Sequence, residues 1–262
     1  MLIDTHCHLA AAEFSADRDS VARAALAGGV SSIVVPAVDL ASFAEVRNCC
    51  ACYPGCAPAY GIHPLHVQYA AEADLDGLRN WLQRTAQGLQ AAVAVGEIGL
   101  DFFVAAPDVA RQEHFFVEQL KIARDAGLPV LLHVRRAVDQ VLKYLRRISV
   151  PGGIAHAFNG SRQQADEFIR LGFKLGFGGA LTYGGSTRLR QLAATLPVDS
   201  IVLETDAPDM PPAWLAGGRN TPDQLPRINA LLAELRGLDA RDLAAVTSAS
   251  ARSVLPRLLS RD

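Results

Sequence analysis

Half of the 262 residues are apolar and one in five is charged, a composition that makes the chain globular and long enough to bury one large core. With 27 acidic and 25 basic residues the net charge is −2, which excludes the broad basic surface of a protein that coats nucleic acid, though not an enzyme that grips a few phosphates. No run of 18 uncharged apolar residues occurs, and Met1–His6 lacks the basic and apolar regions of a secretion signal, so a cytoplasmic protein without a membrane segment is expected.

Short apolar runs recur along the chain with helical stretches between them. In order they are Leu2–Thr5, Ser32–Pro36, Ala57–Gly61, Ala91–Gly96, Pro129–Leu132, Gly153–Ala155, Phe173–Phe177 and Ser200–Leu203, eight candidate strands. Between them lie helical patterns such as Asp108–Ala126, with Phe115, Phe116, Leu120 and Ile122 on its apolar side. Gly28-Gly29, Gly127 and Gly172 mark helix exits. This alternation predicts a parallel sheet with right-handed crossovers, and eight units in one chain of this length fit an α/β fold of the (β/α)8 TIM-barrel type, a single domain over 1–262. Thr221–Asp262 reads as two helices of the outer layer. The one long connection, Ala207–Pro222, is rich in proline and has the make-up of an ordered, functional loop.

Four of the five cysteines (Cys49, Cys50, Cys52, Cys56) crowd one helix-to-loop segment, without the two separated pairs of a zinc site; they read as small apolar residues, reduced in the cytosol. Cys7 alternates with two histidines and is expected to point the other way, into packing.

Ionisable residues follow nearly every strand. Strand one runs into His6-Cys7-His8, strand three into His63-Pro64, strand four into Glu97, strand five into His133, strand six into His156 and strand eight into Glu204-Thr205-Asp206. A barrel builds its active site at the carboxyl ends of its strands, so these side chains are expected at one mouth. Period two places His6 and His8 on one face about 7 Å apart at Cα, able to share a cation. Burying His6, His8, Glu97, His133, His156 and Asp206 together without a counter-charge would be costly, and a metal site resolves that cost. Six ligands exceed what one tetrahedral ion with an open position needs. They divide into His6, His8 and Asp206 for one divalent ion and His133 with His156 for a second, with Glu97 between them as a bridge. Such a pair of ions suits hydrolysis of phosphate esters or amides.

Other residues complete the expectation. His63 is held at the rim by the proline after it and would donate a hydrogen bond or a proton to substrate. Arg135 shares its parity with His133 and suits an anionic substrate. Asp206 is a ligand, a general base, or both in turn, and Asp101 either orders a ligand or turns the chain. Asn159 or Ser161 caps the helix after strand six, where the free amides could hold an oxyanion. Gly176–Gly179 either let a ligand approach the backbone or pack the barrel end.

The ordered stretches Ile3-Asp4-Thr5-His6-Cys7-His8, Gly61-Ile62-His63-Pro64, Gly96-Glu97-Ile98-Gly99-Leu100-Asp101, His133-Val134-Arg135, His156-Ala157-Phe158-Asn159-Gly160, Leu203-Glu204-Thr205-Asp206-Ala207-Pro208 and Arg219-Asn220-Thr221-Pro222 resemble the TatD family of metal-dependent deoxyribonucleases over essentially the whole chain. Glu204–Pro211 is similar to its YjjV-type bacterial branch. The resemblance implies a metal-dependent hydrolase whose ligands fall on the same six residues, with zinc, magnesium or manganese as the ions and DNA 3′ ends as the substrate. Two positions depart from the family pattern: Ala157 stands where a cysteine is usual, and Asn159 where a serine is usual. Neither is a ligand, so the departures bear on substrate contact.

On this reading a metal-bridging hydroxide attacks phosphorus while Arg135 steadies the charge, Asp206 takes the proton and His63 serves the leaving oxygen. A monomer that trims single strands is expected, with Arg111 or Arg219 as further phosphate contacts. The alternative is an amide or ester hydrolase of the amidohydrolase type, acting on a small substrate or an aminoacyl ester. Many such enzymes bridge their metals with a carboxylated lysine. The only lysines here, Lys121, Lys143 and Lys174, all lie away from the end of strand four, which favours the carboxylate bridge.

Overall fold

The computed structural model describes residues 1–88 and 90–258. Eight strands form one parallel sheet in sequential order: β1 (Leu2–Asp4), β2 (Val30–Pro36), β3 (Cys56–Tyr60), β4 (Ala94–Asp101), β5 (Val130–Arg135), β6 (Gly153–Ala155), β7 (Phe173–Phe177) and β8 (Ile201–Leu203). Each is followed by a helix: α1 (Arg18–Ala27), α2 (Phe43–Cys52), α3 (Glu72–Arg84), α4 (Val109–Ala126), α5 (Val138–Leu145), α6 (Arg162–Arg170), α7 (Thr187–Thr195) and α8 (Leu225–Arg236), with α9 (Ala240–Val254) last. This is the expected (β/α)8 barrel. Its β8–β1 seam is drawn together by backbone bonds from Thr5 N–H to the Leu203 carbonyl (3.0 Å) and from Asp206 N–H to the His6 carbonyl (2.8 Å). The two final helices lie as expected, while the last four residues of that stretch, 259–262, fall outside the described residues.

Local signals set the helix ends. Asp108 accepts the Arg111 N–H at the start of α4, and Gly127 ends it in the left-handed conformation at φ +62°. Ser161 caps α6, accepting the Gln164 N–H at 3.2 Å while Gln164 returns a bond to the Ser161 amide.

The barrel interior is layered. Ile3, Val34, Leu131, Ile154 and Val202 pack against Ala251, Val254, Leu255 and Leu258, so the end of α9 and the residues after it plug the lower end. Two residues further along the same strands, period two brings His133, His156 and Glu204 to the upper end.

Two strands run longer than the sequence suggests. β4 reaches Asp101 and β5 reaches Arg135, because they pair through Ile98↔Leu132, Gly99↔His133, Leu100↔Val134 and Asp101↔Arg135. Glycines at 96 and 99 weaken the local strand signal, and partnering overrides it. Glycine is required at 99: φ is +151°, and a Cβ there would lie 1.9 Å from the His133 carbonyl oxygen. Glu97 therefore sits inside β4 rather than beyond it, in a register irregularity between Val95 and Ile98. Such bulges re-aim side chains beside active sites.

Candidate metal centre

Glu97 is the middle of the upper end, 2% exposed and fed from both sides by imidazoles. Its Oε2 lies 3.0 Å from His6 Nε2 and 3.5 Å from His8 Nε2. Its Oε1 lies 2.9 Å from His133 Nδ1 and 3.5 Å from His63 Nε2. Asp206 closes the first side, with Oδ1 3.7 Å from His6 Nε2 and 3.6 Å from His8 Nε2, while its Oδ2 is 3.5 Å from His156 Nε2. The His6 and His156 rings stack at 3.7 Å between centroids. Three donor groups result: His6/His8/Glu97, His6/His156/Asp206 and His63/Glu97/His133. All six expected ligands and His63 thus meet in one place. Their partition differs from the expected one, since His156 groups with His6 and Asp206 rather than with His133.

For His133 and His156 a carboxylate behind the ring goes with the choice of nitrogen that faces the centre. His133 Nε2 is 2.9 Å from Asp101 Oδ2, which leaves Nδ1 to face Glu97. His156 Nδ1 lies 3.0 Å from Glu204 Oε1, though outside hydrogen-bonding alignment, which leaves Nε2 to face Asp206. Carboxylates behind ring nitrogens in this way orient metal-binding histidines. Asp101 and Glu204 are the residues that sequence reasoning left undecided or passed over. Parity along β8 could have flagged Glu204, two residues beyond the inward Val202. Glycine makes room for it: a Cβ on Gly176 would sit 2.1 Å from Glu204 Oε2.

Charge is tightly balanced. Burial alone would raise Glu97, but His6, His63 and the hydrogen bonds from His133 and His6 outweigh it and hold it well below the carboxylate range. Burial likewise opposes charging of His133, and its bonds to Asp101 and Glu97 prevail, pushing it up to about 9. His156 goes up against burial through Glu204 and Asp206, and Asp206 goes down against burial, chiefly through His156. A neutral His133 that donates to Asp101 would turn a lone pair on Nδ1 toward Glu97 Oε1, two acceptors at 2.9 Å. A proton on Nδ1, the His63 Nε2–H aimed at both atoms, or a bound cation reconciles that contact. The nitrogen and carboxylate oxygen donors fit a divalent metal of the zinc or manganese kind.

His63 behaves differently from the others near it. Its Nδ1 accepts the Leu65 N–H at 3.1 Å and burial lowers its pKa, so the ring is neutral with its proton on Nε2. That N–H aims at His133 and Glu97 and has no lone pair to give a metal.

Two backbone positions here are left-handed without being glycine, Ala157 at φ +45° and Asp206 at φ +58°. Buried Asp4 braces the same corner, accepting from Thr205 Oγ1 (2.6 Å), Thr205 N (3.0 Å) and His6 N (3.2 Å), while burial pushes its carboxyl up to about 7.

The expected anion contacts separate. Arg135 is exposed at the rim and stacks on Phe103, 3.8 Å from the ring centroid. Arg111 is spent on the Val67 and Ala70 carbonyls, and Arg219 on Asp17 and the Glu13 carbonyl, so neither reaches the mouth. Asn159 accepts from Arg188 rather than capping α6. Beside the centre opens a cavity of about 350 Å³, lined by His8, His63, Glu13, Glu45, His66 and Asp209 among others.

The family model for TatD-related DNases matches residues 3–256. The metal-dependent hydrolase YjjV of Escherichia coli K12 is 41% identical over 243 residues, 92% of this chain and 93% of that protein. The 3′-5′ ssDNA/RNA exonuclease TatD of Klebsiella pneumoniae is 33% identical over 260 residues, 97% of each. The crystal structure of E. coli YjjV superposes with a TM-score of 0.93 at 39% identity, covering 97% of this chain and 98% of that one. Matched over nearly its whole length by the family model and by a relative at 41% identity, the chain belongs to the TatD family of metal-dependent hydrolases.

Proposed function

We propose that the protein hydrolyses phosphodiester bonds of DNA, trimming single strands from the 3′ end with two divalent ions. The observation that carries this reading is the two-sided Glu97 carboxylate, one oxygen toward His6 and His8 and the other toward His133. His6, His8 and Glu97, with His156 and Asp206 beside His6, would hold one ion; Glu97 and His133 through Nδ1 would serve the other. Bound ions supply Lewis acidity and make a neighbouring water easier to deprotonate. The chain's own groups do the rest. Asp206, ionised and set among histidines, accepts the proton of the attacking water. His63 presents its Nε2–H to a phosphoryl or leaving oxygen, and Arg135 draws the phosphate to the rim. The relative named as a 3′-5′ ssDNA/RNA exonuclease supports the choice of substrate.

A second reading, hydrolysis of a small ester or amide such as an aminoacyl ester, has one observation in its favour. The cavity beside the centre is walled by Glu13, Glu45 and Asp209, which repel phosphate and suit an amine. Elemental analysis of protein purified without added metal, followed by turnover of a 3′-labelled single strand and of an aminoacyl ester, separates the two. The nuclease reading expects divalent metal and loss of label from the strand. Hydrolysis of the ester alone would reject it.

A further inference from the structure

The mouth is electrically lopsided. Acidic side chains line the cavity, Glu13 and Glu45 on the β1–β3 side and Asp209 in the loop after β8, and Asp39 faces His66 nearby at 3.0 Å. On the β4–β5 side stand Arg135 and Arg136, both exposed, with guanidinium carbons 3.8 and 4.5 Å from the centroid of one ring, Phe103. Phe103 is 46% exposed, whereas its neighbour Phe102 packs on the core. Arg136 holds a left-handed backbone at φ +55°, uncommon for a side chain of its size and frequent where a site demands it.

This group is tied to the centre. Asp101 accepts the Phe103 N–H with Oδ1 at 2.9 Å and faces His133 Nε2 with Oδ2 at 2.9 Å, and His133 in turn meets Glu97. One carboxylate thus sets the position of the ring relative to the candidate ligands.

We propose that Phe103, Arg135 and Arg136 form the platform that takes the strand 5′ of the scissile phosphate, by base stacking and phosphate contact. Aromatic and arginine planes bind single strands without reading sequence, and the acidic wall opposite leaves this side as the route for a polyanion. The platform rests on the nuclease reading above and extends it to substrate length.

The test compares kcat/KM for a small phosphodiester, bis-p-nitrophenyl phosphate, with that for a 12-nucleotide single strand, in wild type, Phe103→Ala and Arg136→Asn. Asparagine tolerates the left-handed backbone, and both sites are exposed, so folding should survive. Each variant should lose roughly tenfold more on the oligonucleotide than on the small diester, through KM rather than kcat. Arg136→Asn should also flatten the salt dependence of KM by a slope of about 1. Equal losses on both substrates, or full oligonucleotide activity, would overturn the platform while leaving the nuclease reading intact. A wild-type enzyme that cleaves the small diester and no oligonucleotide would overturn both.

Discussion

Glu97 serves two clusters with one side chain, and the geometry divides the labour by oxygen: Oε2 for His6 and His8, Oε1 for His133. On the proposed roles, Glu97→Ala should strip metal from both positions, read as metal content falling well below that of wild type by elemental analysis. Two ions retained at full occupancy would remove it as the bridge. Asp206→Asn keeps the shape and loses the acceptor, so turnover should fall by roughly a thousandfold or more while the circular dichroism spectrum of the folded protein stays that of wild type. Near-normal turnover would take Asp206 out of proton transfer. His63 shows why residue type alone is insufficient at this scale. A histidine in a donor cluster reads as a ligand until the Leu65 N–H on its Nδ1 places the proton on Nε2.

At the level of elements, a strand's ligand is backed by its neighbour: β5 delivers His133 and β4 the Asp101 behind it, while His156 follows β6 and the Glu204 behind it follows β8. The β7 contribution is space. Gly176 touches no substrate in the proposed mechanism, yet any side chain there meets the buried Glu204 carboxylate, which stands behind His156. Gly176→Ala should therefore lower activity at least tenfold and weaken metal retention, although alanine is otherwise the mildest of replacements. Titration of metal content against activity checks it, and wild-type values in both would show that Glu204 can shift freely. The expectation that Gly176–Gly179 either admit a ligand or pack the barrel end thus resolves at Gly176 toward packing around a buried carboxylate. β4 teaches the same lesson about range: Gly96 and Gly99 look like a strand ending, and pairing with β5 carries the strand through both.

For the molecule as a whole, the centre gathers carboxylates and imidazoles from both ends of the chain, so ions bound there should favour the folded state. Removing metal with a chelator should lower Tm, and restoring zinc or manganese should raise it with concentration, as binding to the native state alone demands. A Tm indifferent to metal would mean no ion is bound at this site. The cysteines answer to packing. Cys7, Cys49, Cys50 and Cys56 are buried and Cys52 is exposed, with burial pushing the Cys49 thiol up to about 12. A thiol reagent at pH 8 should label one cysteine quickly in native protein and all five after unfolding. Rapid labelling of several in the native state would contradict the buried arrangement.

The strand order and the chemistry following each strand were legible from sequence, because hydrophobic period and side-chain parity are local properties of a few consecutive residues. His133 and His156 could be aimed inward by counting from Leu131 and Ile154. The long α4 could be bounded by Asp108 and Gly127 through their capping chemistry. What only the tertiary structure decided is non-local. It set which oxygen of Glu97 meets which histidine, which nitrogen of each ring faces the centre, and that Arg111 and Arg219 are spent on backbone and on Asp17. A ring's orientation depends on the partner behind it, Asp101 for His133 and Glu204 for His156, and those pairs meet only when the barrel closes.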